Sequence, residues 1–66
     1  MNEEALNTSI RKFLKTVGVN SQREIEQAAS AVAADKPDTK ALTATMTLEI
    51  AELGLKVTYD GSIQLQ

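Results

Sequence analysis

The side chains best suited to chemistry in this chain are its cations and carboxylates, because the 66 residues include no histidine and no cysteine. Nucleophilic and general-base catalysis usually rest on a polarised pair such as Ser–His or Cys–His. Those mechanisms are excluded, and so are the usual ligands of zinc. Two carboxylate pairs remain, Glu3 with Glu4 and Glu24 with Glu26. The first pair sits at the start of a helical pattern and the second points to different faces of a turn, so neither has the facing arrangement that acid–base work requires. Gly18, Gly54 and Gly61 are isolated and form no phosphate-cradling loop. The expectation is a protein that is not an enzyme, with no catalytic residue, no metal and no cofactor.

Binding chemistry is better represented. Arg11, Lys12 and Lys15 form a basic patch, and Gln22 and Arg23 follow at the start of what reads as a second helix. Unpaired N–H groups at such a start attract anions, which makes Arg11, Lys15, Gln22 and Arg23 candidates for contact with a phosphate or a nucleic acid. Glutamine and arginine do read adenine and guanine edges, and a short Gly-containing turn before them suits a helix-turn-helix unit. Against this, Glu24 and Gln27 stand where a recognition helix should be apolar. A net charge of -2 and a pI near 4.9 oppose the basic surface that phosphate binding needs. The duller reading of the same residues is a helix cap at Ser21 and a solvated charged face.

Two helical patterns must position these groups. Leu6, Ile10, Phe13, Leu14 and Val17 recur every three or four residues, giving a helix over about 3–17 with Asn2 as its cap and Gly18 as a left-handed stop. Ser21 and Glu24 have capping-box spacing, and Ile25, Ala28, Ala29, Val32 and Ala33 define a second helix over about 22–35. Pro37 should end it, because proline disfavours helical geometry at Lys36.

Beyond the linker the period changes to two. Leu42, Ala44, Met46, Leu48 and Ile50 alternate with polar residues over a strand at about 42–50, followed by strands at about 55–59 and 62–66. A four-residue loop, Ala51 to Gly54, sets Ile50 opposite Leu55, Leu48 opposite Val57 and Met46 opposite Tyr59, all on one face. A three-residue turn at Tyr59, Asp60 and Gly61, with Gly61 left-handed, sets Val57 opposite Ile63 and Leu55 opposite Leu65. The expected fold is α+β in the order ααβββ, a single domain with two N-terminal helices on one face of a three-stranded antiparallel meander.

So small a chain, 7.1 kDa, struggles to stabilise a core alone, and self-association is a common remedy. Thr43, Thr45, Thr47 and Thr58 share the outer face of the sheet, and the first strand lies at its edge with backbone groups free to pair. These are the expected interface, with a protein partner or a second copy joined as a homodimer through the edge strand. No apolar run suits a membrane crossing, and Glu3 and Glu4 stand where a signal peptide would be basic. Absence of cysteine fits a reducing, cytoplasmic setting.

The runs Met1 to Glu4, Ser9 to Lys15, Val17-Gly18-Val19 and Ser21 to Glu26, with Met46 to Ile50 and Glu52 to Leu55, resemble a family of short bacterial proteins known only as a domain of unknown function. The resemblance covers nearly the whole chain and is weakest between Ala29 and Ala44. It implies a bacterial, free-standing protein and brings no ligand or catalytic residue with it.

Overall fold

A computed structural model describes residues 1–66 as one long helix followed by a single β-hairpin. Helix α1 runs Glu3–Asp35, 33 residues, where the spacing predicted two helices. Its start is capped as expected: Asn2 Oδ1 accepts from the Ala5 amide at 3.1 Å, and the Asn2 carbonyl accepts from Leu6 at 3.0 Å. Glu3 and Glu4 occupy the first turn, facing the positive end of the helix dipole. The helix ends at Asp35, two residues ahead of Pro37, as proline sterics require.

The helix does not stop at Gly18, which keeps a negative φ. A glycine inside a helix costs only about 1 kcal/mol relative to alanine, and the flanking residues on both sides favour propagation once a helix exists. With no break at Gly18, Ser21 and Glu24 lie mid-helix, and the capping box expected of them is not formed. Serine and threonine elsewhere in α1 are accommodated by bonding back to the preceding turn. Ser9, Thr16 and Ser30 donate their hydroxyls to the carbonyls of Leu6, Lys12 and Glu26 at 2.9, 3.0 and 2.8 Å.

Strand β1, Ala41–Ile50, pairs antiparallel with strand β2, Leu55–Gln64, in a two-stranded sheet. A 3₁₀ turn at Ala51–Leu53 connects them and closes on Gly54, whose φ of 60° is the left-handed geometry that glycine adopts without strain. The Gly54 amide donates to the Ala51 carbonyl at 3.1 Å. The register is the one expected of this hairpin, with Ile50 opposite Leu55, Leu48 opposite Val57 and Met46 opposite Tyr59.

The third strand of the expected meander is absent. β2 continues straight through Asp60 and Gly61, which pair with Thr45 and Ala44, and Ile63 faces Leu42 instead of Val57. Gly61 is not left-handed. The physical reason is the length of β1: a turn at Tyr59–Gly61 would strip its first half of ladder partners, whereas a straight β2 pairs all ten of its residues. Past the ladder, Leu65 donates to the Lys40 carbonyl at 2.8 Å and Gln66 Nε2 to the Pro37 carbonyl at 3.0 Å.

The expected core of two helices on a sheet is also absent, because no side chain in the chain is buried. The fold is a helix then a hairpin, and the chain divides into two compact units, Met1–Val32 and Ala33–Gln66.

Candidate interaction surfaces

The expected site residues lie on two surfaces, one on the hairpin and one on α1, and each is built within one unit. On the hairpin, alternation sends Thr43, Thr45, Thr47 and Glu49 to one face together with Lys56, Thr58, Asp60 and Ser62. The four predicted interface threonines are therefore neighbours. Their hydroxyls are partly engaged within the hairpin: Thr45 Oγ1 donates to Asp60 Oδ1 at 3.2 Å, and the Thr47 and Thr58 hydroxyls lie 3.4 Å apart. Gln64 Nε2 donates to Ser62 Oγ at 2.9 Å. Such cross-strand pairs stabilise the ladder by a few tenths of a kcal/mol, up to about 1, which explains this face without a partner.

The opposite face of the hairpin carries Leu42, Ala44, Met46, Leu48 and Ile50 beside Leu55, Val57, Tyr59 and Ile63. It is open. Met46 is 46% exposed and Tyr59 60%, while Leu42, Leu48, Ile50 and Ile63 are half-buried by their neighbours. Both strands of a two-stranded sheet are edge strands, so each also offers a row of unpaired backbone donors and acceptors. The edge expected on β1 is present, and β2 adds a second where the meander would have covered it.

On α1 an apolar stripe, interrupted by Ser21, runs through both of the segments that were expected to be separate helices. Leu6, Val17 and Ala28 are eleven residues apart, as are Ile10, Ser21 and Val32, and so are Leu14 and Ile25. An 11-residue repeat holds about 3.67 residues per turn, which keeps a stripe on one side of a long, nearly straight helix. Val17, Ser21 and Val32 are half-buried, but Phe13 and Leu14 are each 54% exposed. Splitting the pattern at Gly18 hid this continuity, although the steps of four from Val17 to Ser21 and on to Ile25 are the signal that joins it.

The cationic candidates sit elsewhere on α1. Arg11, Lys15 and Gln22, spaced by four and seven, share a side of the helix, while Arg23 lies about 100° further round. The anion site expected at the start of a second helix is lost, because the amides of Ser21 to Glu24 belong to the interior of α1 rather than to an end with free N–H groups. An open depression of about 270 Å³ lies along α1, lined by Val19, Gln22, Arg23 and Glu26. Glu26 accepts from Gln22 Nε2 at 2.9 Å there and sets a negative charge beside Arg23. No cluster of three or more histidine, cysteine or acidic residues is placed to hold a metal ion, and no helix is long and apolar enough to cross a membrane.

Over residues 1–66 the chain matches the model described as Family of unknown function (DUF6494). No curated protein and no solved structure matches it.

Proposed function

We propose that this chain, which belongs to that family of unknown function and inherits no activity from it, is a non-enzymatic, cytoplasmic protein-interaction module that completes its fold by association. One observation carries the reading. Twelve large apolar side chains are exposed and none is buried. Covering an apolar side chain of this size is worth about 1.5–3 kcal/mol, and soluble chains seldom leave such surface uncovered unless something docks on it.

The two units reinforce the inference from their own physics. Helices draw most of their stability in proteins from packing an amphipathic face. A lone two-stranded hairpin is marginally stable at best in water. Each unit presents an apolar face, and the hairpin adds two open edges through which a partner strand or a second copy could extend the sheet. Catalysis, in contrast, calls for a concave, water-excluding site with polar groups fixed inside it, and a chain without a buried side chain supplies little toward one.

Salt separates this reading from phosphate binding, which weakens steeply as ionic strength rises. The chain is tagged, fitted with a photo-crosslinking side chain at Tyr59 on the open hairpin face, and captured from its native cells at low and high salt. A cross-linked species retained at both salts supports an apolar interface. Loss of the partner at high salt would instead favour anion recognition through Arg11 and Lys15. A single chain captured alone at both salts would refute the interaction module.

A further inference from the structure

Because β2 runs straight through Asp60 and Gly61, one of its sides pairs with β1 and the other is a free edge. One bond fixes which backbone groups line that edge. Leu65 donates to Lys40, one step beyond the paired register, so Leu65, Ile63, Gly61, Tyr59, Val57 and Leu55 turn their backbone groups toward β1. The alternate residues Lys56, Thr58, Asp60 and Ser62 turn theirs outward. Among these, Lys56 and Asp60 carry opposite charges, share the polar face and flank Thr58 symmetrically. The geometry points to a pairing of this edge with the same edge of a second copy of the chain. The two β2 strands run antiparallel about a dyad at Thr58, so that Lys56 of each copy faces Asp60 of the other.

Charge selects both the partner and the register. A contact about a dyad sets a patch against its own copy, so the patch must be complementary to itself. Moving the dyad to Lys56 or to Asp60 sets like charges directly opposite each other, which is destabilising across strands. A dyad at Val57 or Tyr59 leaves Lys56 against Thr58 or Ser62. One placed midway between two residues puts apolar side chains opposite polar ones. The dyad at Thr58 alone sets both charges directly against their opposites. The edge of β1 has no such property, because Glu49 is the one charged residue of Ala41–Ile50. Joining β1 of one copy to β2 of the next would leave an open edge at each end and grow without closing.

The rest of each hairpin fits the pairing. One row across the polar face of the four strands reads Glu49, Lys56, then Asp60 and Thr45 of the second copy, with alternating sign. Thr45 Oγ1 donates to Oδ1 of Asp60, which leaves Oδ2 for Lys56. In the central row Thr47 and Thr58 meet their own copies. On the opposite face Val57 of each copy meets Tyr59 of the other, an aromatic and β-branched pair of the kind that stabilises cross-strand contacts. Leu48 and Met46 extend that row on either side. A four-stranded sheet with one apolar face thereby replaces a two-stranded hairpin, which is marginal alone in water. Lysine on an edge normally discourages strand addition. Here the aspartate four residues away gives it a partner in one arrangement, so the residue that repels other strands admits this one.

This inference rests on the interaction reading given above and names the partner of its hairpin edge. Isotope-filtered NMR on a mixture of labelled and unlabelled unaltered chains tests it directly. Intermolecular contacts should join the Cα protons of Val57 and Tyr59, whose Cα atoms lie about 4.5 Å apart across such a pair. A second test uses Lys56→Glu and Asp60→Lys chains. Each alone opposes like charges at both positions and should raise the dissociation constant by about tenfold or more. An equimolar mixture restores opposite charges at both and should recover association, a rescue that a merely weakened hairpin would not show. Intermolecular contacts between β1 strands instead, or no recovery on mixing, would overturn the pairing. So would a sedimentation mass of 7.1 kDa at every concentration. In that case a salt-resistant capture of another protein from cells would leave the interaction reading standing, whereas capture of the chain alone would remove both.

Discussion

Replacing Gly18 with alanine should stabilise this protein. Gly18 lies inside α1 with a negative φ, and a Cβ built on it meets nothing within 4 Å. The substitution therefore adds no clash within the chain. It removes the excess backbone freedom that glycine carries in the unfolded state and the poor helix propensity it carries in the folded one, together about 0.8–1 kcal/mol. With a urea dependence on the order of 1 kcal/mol per molar for so short a chain, the midpoint should rise by roughly 1 M. Unfolding is followed by far-UV ellipticity at one fixed chain concentration, because association would otherwise shift the apparent stability. Were Gly18 instead the left-handed stop between two helices, alanine would cost about 1–2 kcal/mol there and the midpoint would fall. The two structures thus predict opposite signs, and a lowered midpoint would refute the continuous helix.

The hairpin gives a matched pair of glycines. Gly61→Val should raise stability by about 0.5–1 kcal/mol in the same assay, since the residue lies in a paired strand opposite Ala44 with open space at its Cβ; a loss would restore the turn at Asp60-Gly61. Gly54→Ala should lower stability by about 1–2 kcal/mol, because its φ of +60° is left-handed. Asn2→Ala should cost about 1 kcal/mol by removing the side-chain acceptor of the Ala5 amide, read as loss of hydrogen-exchange protection in the first turn. Phe13→Ala should raise the dissociation constant of a complex formed on the α1 stripe by about fivefold or more, because a buried aromatic anchor at an interface contributes more than about 1 kcal/mol. An unchanged sedimentation profile would remove Phe13 from that surface.

Most of the secondary structure was legible without coordinates, and the two errors have a common form. The Asn2 cap, the end of α1 ahead of Pro37 and the pairing of Ile50 with Leu55 follow from local chemistry, and each is present. At Gly18 and at Asp60-Gly61, a residue that commonly breaks an element outweighed a period that ran through it. The stripe of α1 passes Gly18 in steps of four. The alternation of β2 runs unbroken from Leu55 to Gln64, with Tyr59 and Gly61 on the apolar side and Asp60 on the polar side. The expected site residues divide in the same way. Thr43, Thr45, Thr47 and Thr58 do gather on one face, whereas the anion site at Gln22 and Arg23 depended on a helix start that does not exist.

The amino-acid sequence by itself determined the caps, the helical and strand periods and the first hairpin register, because each depends on residues a few positions apart or on alternation within one segment. Only the assembled structure decided whether a single glycine or a single Asp-Gly pair ends an element. That choice weighs about 1 kcal/mol of local preference against a whole helix or ladder of hydrogen bonds, and the longer element won both times. It also decided that no side chain is buried. Periodicity marks which face is apolar, and tertiary packing decides what, if anything, covers it.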